Sequence, residues 1–74
     1  MADVFIDAEE ALKQNPILKF FAFAHLPAHL QPISKQCAEL AHEMVRTIPR
    51  SAELTVGLRK LLEAKDAFVR ANLP

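Results

Sequence analysis

The side chains of this chain that could carry chemistry are few and scattered. His25 and His29 are four residues apart, a spacing that can hold a metal ion on one face of a helix. Pro27 lies between them and disfavours a regular helix there, and no third ligand stands out. We therefore expect no metal site and no cofactor.

The sequence also lacks residues suited to nucleophilic catalysis. The one cysteine, Cys37, lies on the apolar face of a predicted helix, a position typical of a small buried hydrophobe rather than a reactive thiolate. The sequence contains no glycine-rich phosphate loop, no serine elbow and no HExxH pair, the motifs that carry common catalytic mechanisms. We expect a binding protein and not an enzyme.

A set of cations near aromatic residues is the more informative feature. Lys35 follows a segment that holds three of the five phenylalanines, and Arg59 and Lys60 lie off the apolar stripe of a later helix. Aromatic rings stack on nucleobases, and Lys or Arg pairs with phosphate. The combination suits a small nucleotide ligand. The alternative is that these cations form an ordinary solvated surface and that the phenylalanines only cover the core.

Two long helices must position these residues. Over 51–72, apolar residues recur at helical spacing after Ser51, a favourable N-cap, and they are Leu54, Leu58, Leu61, Leu62, Phe68 and Val69. Over 30–48, a second stripe consists of Ile33, Cys37, Leu40, Ala41, Met44, Val45 and Ile48. Pro49 ends this helix, and so short a connection makes the two helices antiparallel neighbours.

The remaining segment, 1–29, precedes the two helices. It begins with an acidic lead-in that holds a helical turn or two, and Asn15-Pro16 then marks a break. From Pro16 onward we predict either a short helix ending near Ala24 or an extended aromatic arm that covers the helical pair. The predicted fold is all-α, a single domain over 1–74 built as an antiparallel helical hairpin with an N-terminal aromatic arm.

Length and composition bound the class of protein. A chain of 74 residues supports only a small core, and one cysteine forms no internal disulfide, so we expect stability to come from oligomerisation. Gly57, the only glycine, lies inside the last helix, where a close approach of helices between protomers would explain it. The zero net charge argues against duplex nucleic acid and against a polybasic membrane anchor. No targeting segment stands out, so we expect a cytoplasmic protein.

Three stretches resemble a known family: FFAFAHLPAHLQPISK over 20–35, AELAHEMV over 38–45 and ELTVGLRKLLEAKDAFVRA over 53–71. Together they are similar to the helical-hairpin domains of the phage anti-CBASS and anti-Thoeris sponges. Members of that family sequester cyclic oligonucleotides or cyclic ADP-ribose isomers, which are signals of bacterial immunity. The resemblance covers about two-thirds of the chain and is strongest in LRKLLEAKDAFVRA.

The resemblance implies binding without chemistry. It implies a compact oligomer, commonly a hexamer, with ligands between protomers, an aromatic residue of the arm stacked on a base and a first-helix cation on phosphate. Carried onto this chain, the candidate ligand-binding residues are Phe23, His25, Lys35, Thr55, Arg59 and Lys60.

Two other functions compete with this hypothesis. A helical hairpin could act as a protein-interaction or oligomerisation module with no small ligand. A helix-turn-helix DNA-binding protein is disfavoured, because the net charge is zero and no helix carries a basic recognition face.

Overall fold

A computed structural model describes the backbone of residues 8–73 and the side chains of residues 10–73. It contains helix α1 (Ala8–Gln14), a short 3₁₀ helix (Pro16–Phe21), helix α2 (Gln31–Thr47) and helix α3 (Ala52–Ala71). No β-strand occurs in this part of the chain, so the prediction of an all-α fold is confirmed. The start of the acidic lead-in, 1–7, lies outside the described residues.

Helix α3 begins and ends within one residue of the predicted bounds. The Ser51 hydroxyl oxygen accepts a hydrogen bond of 3.1 Å from the Leu54 backbone N–H, which satisfies one of the free donors of the first turn. Glu53 lies in the first turn and Arg70 in the last, so both charges complement the helix dipole. Local sequence is therefore enough to set the limits of this helix.

Helix α2 is delimited by its flanking prolines. Pro32 occupies the first turn, where a missing backbone N–H costs nothing, and Pro49 follows the last helical residue. The side-chain amide of Gln31 donates a 2.8 Å hydrogen bond to the carbonyl oxygen of Leu26. This bond ties the preceding loop to the start of the helix.

The segment predicted as a possible aromatic arm is instead part of the folded core, and this is a correction. Residues Pro16–Phe21 form the 3₁₀ helix, so of the two predicted alternatives the short helix is observed and the extended arm is not, although the helix ends three residues earlier than Ala24. Phe21 is only 1% exposed, whereas its neighbour Phe20 is 54% exposed. The tight turn places successive rings on different faces, which puts one ring in the core and the other in water.

The covered core lies where the 3₁₀ helix packs against both α2 and α3, with α1 in contact with the 3₁₀ helix and α2. Its buried apolar members are Ala11, Leu18, Phe21, Cys37, Ala38, Ala41, Val45, Leu54 and Leu58. At the far end of α3, the side-chain amide of Asn72 donates a 3.3 Å hydrogen bond to the His29 carbonyl oxygen. The end of α3 therefore lies beside the segment that leads into α2.

The predicted stripes need a second correction. Leu40, Ile48 and Phe68 were assigned to the core, but they are 47%, 40% and 57% exposed. Ser34 and Ala38, which the stripes omitted, are buried. The 3₁₀ helix packs on the face of α2 where the side chains are small, because small residues let a neighbouring backbone approach closely. The helical spacing of apolar residues predicts which face of a helix is apolar. It does not distinguish a face of small side chains from a face of large ones.

None of the described helices is both long enough and apolar enough to cross a lipid bilayer.

Candidate functional site

Phe23, the predicted stacking residue, follows the 3₁₀ helix directly. Its side chain is half-buried and packs against the covered core. Its carbonyl oxygen accepts a 3.0 Å hydrogen bond from the Leu26 backbone N–H, which holds the turn in place. The ring is thus anchored on one side and partly available to solvent.

His25 and Lys35 are both exposed, on either side of the loop that leads into α2. His25 lies in the turn after Phe23, and Lys35 lies on α2 one turn after the helix begins. Lys35 forms no ion pair with another residue of the described part of the chain. Its ammonium group is free to meet an anion.

The remaining three candidates lie on the exposed surface of α3. Thr55 and Arg59 are four residues apart and share one face of the helix, and the Thr55 hydroxyl donates a 3.3 Å hydrogen bond to the Ser51 carbonyl oxygen. The Lys60 ammonium lies 3.7 Å from a Glu63 carboxylate oxygen. Arg59 has no such partner among residues 10–73.

A single chain does not bring all six residues together. Lys35 lies near the start of α2 and Thr55 near the start of α3. Helix α2 continues for 12 residues beyond Lys35, about 18 Å at a rise of about 1.5 Å per residue, whereas Thr55 lies three residues into α3. Phe23, His25 and Lys35 therefore lie in and beside the segment that leads into α2, whereas Thr55, Arg59 and Lys60 lie on the exposed surface of α3.

A concave feature on the described part of the surface lies elsewhere. A groove of about 370 Å³ runs between α2 and α3, and its lining residues are Leu40, Met44, Ile48, Ser51, Glu53, Leu54, Gly57, Leu58 and Leu61. None of the six candidate ligand-binding residues lines this groove. The site predicted from sequence and the groove observed in the structure are therefore different surfaces.

The chemistry of the groove is apolar. Its one charged lining residue is Glu53, whose carboxylate would repel a phosphate, and seven of the nine lining residues are Leu, Met, Ile or Gly. Such a surface fits apolar side chains rather than a charged nucleotide. The signal that could have found it is the row Leu40, Met44 and Ile48, spaced by four along α2, together with a glycine on the facing helix.

Cys37 is buried and free. Burial raises the pKa of its thiol, and the positive charge of Lys65 partly offsets this effect. A neutral thiol is a poor nucleophile. Among the described residues, no three His, Cys, Asp or Glu side chains are grouped so that they could hold a metal ion.

Comparison with known proteins adds no relative to this description. No family model, no curated protein and no solved structure matches the chain.

Proposed function

We propose that this chain is a non-catalytic binding protein that sequesters cyclic nucleotide immune signals at sites between protomers. The ligands would be cyclic di- or trinucleotides or cyclic ADP-ribose isomers, and their capture would block bacterial anti-phage signalling. The proposal begins from the resemblance of 20–35, 38–45 and 53–71 to the phage sponge family. If a phage encodes the chain, it acts in the cytoplasm of the host cell.

The proposed scaffold is an antiparallel helical hairpin that self-associates, with a hexamer favoured by the resemblance. Two observations, a short connection and one hydrogen bond, support the antiparallel arrangement. Four residues, 48–51, connect α2 to α3, and the Asn72 side chain at the end of α3 bonds to His29 just before α2. A chain of this size has little surface that could enclose a ligand alone.

The observation that supports the ligand proposal is that Lys35 and Arg59, like Lys19, Arg50 and Arg70, form no ion pair in the described part of the chain. Both are exposed and lack an acidic partner in the described part of the chain, although acidic residues are as numerous as basic ones. A free cation binds phosphate more strongly than one already committed to a carboxylate. Phe23 lies near the Lys35 end and can offer one face of its ring to a base.

A site between protomers reconciles the separation of these residues. Lys35 and Thr55 lie on different helices of one chain, and a cyclic dinucleotide needs cations and stacking surfaces in one pocket. In a symmetric assembly, the Phe23–Lys35 end of one protomer can face the Thr55–Arg59 surface of its neighbour. Each ligand would then be held by residues from two chains.

Calorimetric titration with a panel of cyclic nucleotides tests the proposal. Phe23→Ala and Lys35→Ala should each weaken binding about tenfold or more, because stacking is worth about 1–3 kcal/mol per base and a charge-assisted bond is worth a similar amount. Phe20→Ala and Lys19→Ala are the matched controls, since both residues are exposed on the 3₁₀ helix and outside the proposed site. Equal losses in the control variants would reject the assignment.

The groove favours a second candidate function. Its apolar lining suits a helix of another protein or of a second copy, so the chain could be a helical interaction or oligomerisation module with no small ligand. The same titration separates the two functions. If the parent chain takes up no cyclic nucleotide or cyclic ADP-ribose isomer, the interaction module is the better explanation.

A further inference from the structure

The groove joins two apolar rows that the described chain covers only in part, since Leu40 and Ile48 are exposed whereas Leu54 is buried. On α2, Leu40, Met44 and Ile48 recur every four residues and so form a line along the helix. On α3, Leu54, Gly57 and Leu61 form the facing line. Leu40 and Ile48 remain substantially exposed. A continuous exposed apolar surface of this kind marks a site of association.

Gly57 gives the groove a specific geometry. A glycine weakens the interior of a helix, yet no described residue outside the helix requires it, because a Cβ placed on Gly57 would meet none of their atoms within 4 Å. The absent side chain therefore leaves room on the outer surface of α3. Removal of a side chain at this point allows a second helix to approach the backbone of α3 closely.

The charges on either side of Gly57 indicate what that second helix is. Glu53 lies one turn before Gly57 and Lys60 lies about one turn after it, on the same side of α3. Within one chain Lys60 lies 3.7 Å from Glu63 in an exposed pair, a partner that it would exchange for Glu53 of the second copy. If two α3 helices cross antiparallel at Gly57, a two-fold axis brings Glu53 of each chain near Lys60 of the other. One symmetry operation thus forms both ion pairs, as an isologous interface requires.

We propose that a second copy of this chain occupies the groove, with the two-fold axis passing close to Gly57. The two copies would place their α2 and α3 rows together and form a four-helix core. The inference rests on the self-association part of the proposed function and specifies its surface. It does not depend on nucleotide binding. Lys60 then belongs to the interface, which leaves Lys35 and Arg59 for phosphate.

Sedimentation of the full chain and of Gly57→Leu tests the interface. The parent should sediment as a dimer or larger assembly, and Gly57→Leu should raise the dissociation constant at least tenfold and lower the mass toward that of the 8.3 kDa chain. Ala52→Leu is the matched control, because it adds the same side chain to an exposed position of α3 outside the groove. Circular dichroism should show that both variants keep the helix content of the parent.

Charge reversal tests the partner. Glu53→Lys and Lys60→Glu should each weaken the assembly, because each places like charges together across the axis, and the double variant should restore it. Rescue in the double variant identifies a second copy as the occupant, since a different partner would not change its charges at the same time.

Several outcomes would overturn the inference. A parent chain that stays monomeric at high micromolar concentration would assign the groove to another protein or to another segment of the same chain. An assembly unchanged by Gly57→Leu, or a double charge variant that remains dissociated, would place the interface on a different surface. Nucleotide titration of the same samples measures ligand binding independently of association. The failure of the groove interface is therefore distinguishable from the failure of the proposed nucleotide binding.

Discussion

Helices α2 and α3 present two apolar surfaces, the covered core and the groove, which differ in what lies on them. In the covered core, Phe21 and Leu18 of the 3₁₀ helix close over small side chains of α2. In the groove, larger side chains such as Leu40 and Ile48 remain partly in water. The difference shows that the helix pair alone does not bury its apolar surface and that the segment before α2 completes only part of it.

The two surfaces consequently have different energetic roles. A residue buried within one chain stabilises the fold at any protein concentration, whereas a residue buried only on association stabilises it in proportion to the population of the assembly. Substitutions that separate these two behaviours test the comparison directly.

The largest effect is expected at Phe21. Phe21→Ala should lower the free energy of unfolding by about 3–5 kcal/mol, because it removes a buried ring and leaves a cavity. Phe20→Ala, one residue earlier and exposed, should cost about 0.5 kcal/mol or less. Urea denaturation of both variants measures the contrast. Similar losses at the two positions would show that the 3₁₀ helix does not close the core as described.

The next largest effect compares Leu58 with Leu40. Leu58 is buried within the chain although it also borders the groove, so Leu58→Ala should already cost about 2–5 kcal/mol in dilute solution. Leu40→Ala should cost about 1 kcal/mol or less in dilute solution, because half of the side chain is already exposed. At high concentration its cost should rise as the groove becomes occupied.

Thermal melts over a wide range of protein concentration measure this second contrast. The melting temperature of the parent should increase with concentration, and that of Leu40→Ala should increase less. If the melting temperatures of both chains were independent of concentration, the groove would not be an interface between copies.

The sequence predicts the long helices better than it predicts the surfaces they bury. Ser51 and Pro49 set the limits of α2 and α3 through local capping and backbone restrictions, which act within a few residues. The choice between Leu40 and Ala38 as core residues depends on where the 3₁₀ helix docks. That choice is made by contacts distant in sequence, and helical periodicity carries no information about it.

The candidate site likewise divides into features that the sequence predicts and features that depend on distant contacts. Residue type indicated Lys35 and Arg59, and the family resemblance indicated Phe23; the structure shows that the two cations are exposed and that the ring is half-buried. Whether they meet in one pocket depends on the arrangement of protomers, which helical spacing within one chain does not specify. The sequence does not predict the groove, because its residues belong to the same apolar stripes as the core residues.

A smaller effect is expected at Ser34, on the covered side of α2. Its hydroxyl oxygen is fully buried and has no hydrogen-bond partner among the described residues. Burial of an unpaired hydroxyl is unfavourable, and alanine is the better helix former, so Ser34→Ala should stabilise the chain by about 1 kcal/mol. Ser51→Ala is the contrasting control, because loss of that capping hydroxyl should destabilise by about 1 kcal/mol. A destabilised Ser34→Ala would reveal a partner for the hydroxyl.

The smallest effect concerns Cys37 and tests how dry the covered core is. Burial raises the pKa of the Cys37 thiol above its ordinary value of 9.0, against an opposing contribution from Lys65. The folded chain therefore retains a proton that the unfolded chain loses. The resulting stabilisation is fully present below pH 9.0 and falls as the pH rises above it. The parent should accordingly lose more stability than Cys37→Ala between about pH 8 and about pH 10.

Thermal melts of the parent and of Cys37→Ala across this pH range measure the difference in stability between them. The other ionisable groups are common to both chains, so their contributions cancel. The groove offers the comparison, because Leu40, which lines it, carries no ionisable group. Leu40→Ala should therefore follow the pH profile of the parent, displaced by a constant amount. Parallel profiles for the parent and Cys37→Ala would mean that water reaches the thiol when the chain is folded. The covered core would then be open at Cys37, and the contrast between the two surfaces would be one of residue size rather than of access to solvent.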